Sequence, residues 1–172
     1  NNGNPPGSPL LRIDQNTIDC GLASRESFAV AGENAAWVAE NSGDGEGGRA
    51  VYTAVSLSKV RDVTTPPINR LLDDEIQSIT SCTAWMERVN GQLLYVLNLA
   101  RANRSYAYGM ETGLWSEWQS SSGNRFNCVS ATSLNGRLFL QDAVNGQLYT
   151  ISHSTYRDVG SDFTVRLQTK KF

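Results

Sequence analysis

The chain is constrained most by a short phrase that it repeats. Val89-Asn90-Gly91-Gln92-Leu93-Leu94-Tyr95-Val96-Leu97 returns as Leu134-Asn135-Gly136-Arg137-Leu138-Phe139-Leu140. An Asn-Gly pair between apolar runs is the strongest short-range hairpin signal, because both residues accept the positive φ of a type I′ turn. A weaker copy stands earlier, as Ala31-Gly32-Glu33-Asn34-Ala35-Ala36-Trp37-Val38. Aligned without gaps, the turn pairs are Gly32-Glu33, Asn90-Gly91 and Asn135-Gly136, spaced 58 and then 45 residues apart. These residues specify a repeated antiparallel β unit and, by themselves, no chemistry.

Each unit predicts an outer hairpin, a Gly- or Asn-rich connection, and a strand that carries tyrosine. The tyrosine strands are Val51-Tyr52-Thr53, Tyr106-Ala107-Tyr108 and Leu148-Tyr149-Thr150. A fourth strand is visible in two units, at 57–64 and 115–119. Units of about 40 to 50 residues with four short strands are the pattern of propeller blades. The fold class expected is therefore all-β, with consecutive four-stranded antiparallel blades of a partial β-propeller. The division is 1–24 entry loop and strands, 25–65 blade, 66–76 helical insert, 77–121 blade and 122–172 blade. Three blades are fewer than the four to eight that close a ring. A meander sandwich is the competing fold, but it gives no reason for matched aromatic positions in successive units.

In chain order, Pro5, Pro6 and Pro9 make the first ten residues a loop. Short strands are expected at 10–13 and 17–22, then a hairpin from 27–32 and 35–40. Asn41 to Gly48 holds four glycines in eight residues. It predicts a solvated connection, with a calcium site at Asp44 and Glu46 as the alternative; the ladder of oxygen ligands typical of calcium loops is missing. Strands follow at 49–55 and 57–64. Thr65 can cap a helix and Pro66 and Pro67 suit a first turn, while Ile68, Leu71, Leu72 and Ile76 fall on one face. The acidic triplet Asp73-Asp74-Glu75 reads as a solvated helix end, with a metal or catalytic pair as the alternative. Further strands are expected at 79–89, 92–99, 105–110, 114–118, 126–134, 137–142 and 147–153, with Asn145-Gly146 as another two-residue turn, and at 164–167.

Composition excludes some roles. The 15 Lys+Arg and 17 Asp+Glu are scattered and sum to −2, which is not the basic patch of a nucleic-acid or anionic-membrane surface. The longest nearly apolar run, Leu93 to Leu97, is far short of a membrane span. The chain shows no signal-peptide pattern and opens without Met, so it is expected to be part of a longer protein. Cys20, Cys82 and Cys128 fit no metal-binding spacing; they read as buried thiols in a reducing compartment, with a Cys82–Cys128 disulfide as the alternative.

No catalytic motif stands out, and the expectation is no enzyme, no cofactor and no metal. His153 is the sole histidine, and a triad with Ser24 or Ser27 lacks the Gly-x-Ser-x-Gly elbow. Glu33, Asp62 and Asp142 are the carboxylates that could converge as a glycosidase pair. Trp37, Trp85, Tyr95, Trp115 and Trp118 could stack sugars or bases, but strand aromatics more commonly pack a core.

An ordered set of phrases carries a family resemblance. It comprises Gly3-Asn4-Pro5-Pro6, Ile18-Asp19-Cys20-Gly21, Ala36-Trp37-Val38, Val51-Tyr52, Val63-Thr64-Thr65-Pro66-Pro67-Ile68, the Asn90-Gly91 hairpin and Leu114-Trp115-Ser116-Glu117-Trp118. In order and spacing it resembles the packaged-DNA stabilisation proteins, the tail accessory or hub proteins, of short-tailed double-stranded DNA phages. The likeness covers nearly the whole chain and corresponds to the later portion of such a protein. The family often has Ile-Ser-Thr where this chain has Val63-Thr64-Thr65, which keeps the cap.

The resemblance implies a virion component assembled in the bacterial cytoplasm as a ring of six copies beneath the portal and its adaptor. It would extend the DNA channel, help retain packaged DNA without reading its sequence, and hold a tail needle or receptor-binding fibres, with no membrane partner. The alternative of a different class is a carbohydrate-binding or glycosidase propeller.

Overall fold

The computed structural model describes residues 20–40, 48–56, 59–75, 82–152, 155, 157–158 and 160–162. The expected strands at 10–13 and 164–167, the loop acids Asp44 and Glu46, Ile76 and His153 lie outside these residues. The described chain is mostly β, built from antiparallel sheets and one short helix.

The first sheet contains β1 (Gly21–Leu22), β2 (Ala29–Ala31), β3 (Asn34–Glu40), β4 (Arg49–Val55) and β5 (Lys59–Asp62). Both β1 and β2 pair with the same edge of β3, so together they act as one first strand interrupted in the middle. The interruption is a 3₁₀ turn at Arg25–Ser27, which starts the hairpin strand at Ala29 rather than at the expected Ser27. Ser27 repairs the ladder: its Oγ accepts the Val38 N–H at 3.0 Å, in place of a strand carbonyl.

The second sheet is β6 (Cys82–Val89), β7 (Gln92–Leu99), β8 (Arg104–Gly109) and β9 (Trp115–Trp118), in that order. The third is β10 (Cys128–Leu134), β11 (Arg137–Asp142) and β12 (Leu148–Thr150). Among the described residues it is one strand short of the expected four. A small hairpin of β13 (Arg157–Asp158) and β14 (Ser161–Asp162) follows, which the sequence pattern did not announce.

The turn chemistry explains the hairpins. Asn90 (φ 50°) with Gly91 (φ 85°), and Asn135 (φ 50°) with Gly136 (φ 73°), supply the paired positive φ of type I′ turns. At Gly32-Glu33 only the glycine is positive, as a type II′ turn requires. Asn145-Gly146 differs from expectation. Asp142 Oδ1 accepts the N–H groups of Val144 and Asn145, so the carboxylate organises a longer loop and the two-residue turn does not form.

The three sheets share one register. The fifth residue after the first turn residue is Trp37, Tyr95 or Leu140, and its neighbour on the third strand is Tyr52, Tyr108 or Tyr149. They also stack in one sense. Val38 and Val51 of the first sheet share a core with Leu93, Tyr95, Leu97 and Leu99 of the second. The other face of the second sheet, with Trp85, Val96 and Ala107, shares a core with Cys128 and Leu140 of the third. Trp37 turns to the far side of the first sheet, where it stacks on Tyr52 with ring centroids 6.2 Å apart. Thus Trp37 and Tyr95 face away from the sheet that follows, and Tyr95 and Leu140 face the sheet before. Contact between sheets concentrates on the first strands, where β6 touches β2 on one side and β10 on the other.

Helix α1 (Pro66–Glu75) ends within a residue of its expected span and packs on β4. Buried Ile68 and Leu72 enter the core between the first and second sheets, each side chain contributing roughly 1.5–3 kcal/mol by leaving water. Polar bonds fix its angle: Asn69 Nδ2 donates to the Arg49 carbonyl at 2.6 Å, and Asp73 Oδ1 accepts the Arg49 N–H at 3.1 Å. That second bond gives Asp73 a structural use.

Candidate functional site

The residue types that suggested catalysis are used for folding. Ser24 and Ser27 are both fully buried between the first two sheets. Ser27 Oγ donates to the Ser24 carbonyl at 2.6 Å, Ser24 Oγ donates to the Cys82 carbonyl at 3.2 Å, and the Tyr95 hydroxyl donates to the Ser27 carbonyl at 2.8 Å. These bonds join the 3₁₀ turn to β6 and β7. Burial pushes the Tyr95 hydroxyl well above its usual range, with the nearby Cys82 thiol adding to the effect, so the phenol stays a neutral donor.

Glu33, Asp62 and Asp142 sit at three separate turns. Glu33 Oε2 accepts the Ser56 hydroxyl at 2.8 Å, Asp62 Oδ1 accepts the Thr64 N–H at 2.8 Å, and Asp142 holds its own loop. Asp142 lies in the third sheet, while in the first Asp62 pairs with Tyr52 in mid-strand on one edge and Glu33 sits at the turn beside the Val55 end, so the glycosidase pair is not assembled from these residues. Among the described residues no group of three His, Cys, Asp or Glu side chains is placed to hold a metal ion.

Of the aromatics, Trp37, Trp85 and Tyr95 are buried. Trp115 packs against Tyr108 at 5.2 Å and donates its Nε1–H to the Val63 carbonyl at 2.8 Å, tying the second sheet to the end of the first. Trp118 packs against Phe126 at 6.2 Å. The cysteines are free thiols. The Cys82–Cys128 disulfide does not form, because Cys82 points into the core before the second sheet and Cys128 into the core after it. Burial pushes the Cys128 thiol up to about 11, which keeps it protonated and unreactive near neutral pH.

A second polar network, unforeseen from the sequence, joins the second and third sheets. Thr83, Asn98 and Ser105 are cross-strand neighbours on β6, β7 and β8. Asn98 Nδ2 donates to the carbonyls of Phe126 (2.8 Å) and Cys128 (2.9 Å), while Asn98 Oδ1 accepts the Ser105 hydroxyl (2.9 Å). Thr83 Oγ1 donates to the Cys128 carbonyl at 3.1 Å, and Ser105 Oγ accepts the Phe126 N–H at 3.1 Å. These bonds capture Phe126 and delay the start of β10 to Cys128.

On the same face, Glu87 is an anomaly. It is only 8% exposed, and both carboxylate oxygens are buried without a hydrogen-bond partner among the described residues. Burial pushes its carboxyl up to about 7, and the Trp85 indole pulls weakly the other way. The indole Nε1 acts on the carboxyl through space, but its geometry falls short of a hydrogen bond and it too is buried without a partner. A signal for this site exists in the sequence: Glu87 sits two residues after Trp85, hence on the same strand face.

Concavities among the described residues include the following pair. A cavity of about 210 Å³ lies where the three first strands converge, walled by Phe28, Val30, Ala84, Trp85, Ala131 and Thr132; no charged side chain lines it. A wider groove of about 970 Å³ runs between Trp118, Phe126, Leu140 and Ile151, with Arg125 and Arg157 on its wall. Arg157 is paired with Asp162 at 2.7 Å. No helix among the described residues is long and apolar enough to cross a membrane.

No protein-family model matches the sequence, and no curated protein does. Among solved structures, TolB from Acinetobacter baumannii is similar over 74% of this chain and 32% of its own length, at 13% identity and a TM-score of 0.36. The chain thus spans about a third of that structure.

Proposed function

We propose that this chain is a run of consecutive β-propeller-type blades that serves as a structural component of a short-tailed phage tail, in the hub or nozzle ring below the portal. The observation that carries the architectural part is the same-sense stacking of three register-matched sheets with their first strands together. A sandwich pairs faces without repeating an orientation, whereas blades turn the same face toward the preceding neighbour each time. The assignment to a phage tail rests on the ordered phrases from Gly3-Asn4-Pro5-Pro6 to Leu114-Trp115-Ser116-Glu117-Trp118.

In this reading the protein is not an enzyme. It assembles as a ring of six copies, contacts the portal adaptor and the tail needle or fibres, and lets DNA pass without sequence-specific binding. The near-balanced charge suits a conduit, because a strongly basic lumen would grip phosphates and slow passage. Use of the candidate serines, acids and aromatics in internal bonds supports a mechanical role.

Electron microscopy of the full-length protein tests this, with closed ring-shaped oligomers as the expected result. A monomer that hydrolyses or retains glycans in a screen would instead establish the carbohydrate-active alternative. DNA binding tighter than micromolar at physiological salt would reject the passive conduit.

A further inference from the structure

We infer that Glu87 is a pH-responsive latch between the second and third sheets, holding the turn end of the third sheet closed while protonated and loosening it when ionised. The inference does not depend on the phage-tail reading. It rests on a contrast between the two ends of one interface. At the far end, Asn98, Ser105 and Thr83 bind the backbone of Phe126 and Cys128 through a fully partnered network. Toward the Asn90-Gly91 turn, the same face of β6 carries a buried carboxyl group whose two oxygens make no hydrogen bond among the described residues.

The neighbours on that face are apolar or neutral. Glu87 is opposite Leu94 on β7, which packs in the core shared with the third sheet, and the next residue across is Gly109 on β8. From the third sheet, the registers turn Ala131 and Ser133 of β10 and Leu138 and Leu140 of β11 toward the second sheet. Among the described residues, the titratable or charged groups near this core are Arg125, Cys128, Asp142, Tyr149 and Arg157, which line the groove at the network end. Arg88 turns to the opposite face of β6, where it lies 4.0 Å from Glu111. Among the described residues no cation pairs with Glu87, so the charge of its ionised form is relieved by admitting water between the sheets.

The sign follows. Burial raises the folded-state pKa from 4.5 to about 7. The folded state therefore binds the proton more tightly than the open state, and closure is fully favoured below about 4.5. It weakens as pH rises from there through about 7, by on the order of a hundredfold in the closing equilibrium across the window. The Asn98 network carries no group that titrates in this range, so it keeps the other end fastened and the motion is a hinge.

Hydrogen exchange on the full chain tests the latch, comparing amide protection factors at pH 5.5 and pH 8 in wild type and Glu87→Gln. In wild type, protection in β10 and β11 is expected to fall by about thirtyfold relative to β6 and β7, since part of the change is already complete at pH 5.5, and in the variant to change by less than about threefold. An equal fall in both proteins, or a fall shared equally by β6 and β7, overturns the proposal. Should the variant fail to fold, the carboxyl carbon of Glu87 is titrated by NMR in wild type. A midpoint near 7 supports the latch, and one in the ordinary glutamate range overturns it.

Discussion

Asn98 is the side chain whose loss should separate the second and third sheets most directly. Asn98→Ala removes three hydrogen bonds, two donated by Nδ2 and one accepted by Oδ1. The abandoned carbonyls are not left bare, since Cys128 keeps the Thr83 hydroxyl and Phe126 keeps the Cys128 N–H. The Ser105 hydroxyl does lose its acceptor. At about 1 kcal/mol net per bond, and about 1 kcal/mol for the vacated space, the loss is roughly 3–4 kcal/mol. Asn98→Asp should be worse despite its matching shape, because a carboxylate sets acceptors against two carbonyl oxygens and brings a charge into a site that is 1% exposed. Urea unfolding measures both, with the exposed Asn124→Ala as a control that stays within about 0.5 kcal/mol. An Asn98→Ala protein within 1 kcal/mol of wild type, or an Asp variant as stable as the Ala one, refutes the claim that this network fastens the third sheet.

Other expectations can be checked on the same footing. Leu72→Ala should cost about 3 kcal/mol in urea unfolding, since Leu72 is fully buried where α1 enters the core. Tyr95→Phe removes one buried bond, to the Ser27 carbonyl, and should lower stability by about 1 kcal/mol. Gly91→Ala places a side chain at φ 85°, and should lose about 1 kcal/mol with more rapid exchange of the β6–β7 turn amides. Gly109→Ala drives its new Cβ into the Thr112 hydroxyl, so it should destabilise by about 1–2 kcal/mol, with Thr112→Ala restoring most of the loss in a double-mutant cycle.

Local chemistry made much of the scaffold legible. The Asn-Gly pairs at 90 and 135 marked two hairpins because few other residues accept their dihedral angles, and β4, β7 and β11 begin and end where the apolar alternation says they should. Helix α1 was readable from its prolines and the spacing of Ile68, Leu71 and Leu72. What escaped depends on partners distant in sequence. The break between β1 and β2 exists because Ser27 substitutes for a ladder carbonyl, and β10 starts late because Asn98, 28 and 30 residues away, takes hold of Phe126 and Cys128. The Asn145-Gly146 prediction failed because Asp142, three residues before it, competes for the local N–H groups. The dispersal of Glu33, Asp62 and Asp142 could not be read from a one-dimensional string, whereas Glu87 was recoverable from parity with Trp85 alone.

The two sides of each sheet are chemically unlike, and every sheet presents them in the same direction along the stack. Joining is therefore head to tail. A unit cannot be flipped over and still mate, and no two copies of the same side meet. Such a joint repeats indefinitely until it meets its own beginning, so the number of units is set by the angle between successive sheets and not by the chemistry of the joint. Duplication of one module would lengthen the series without requiring any new kind of contact.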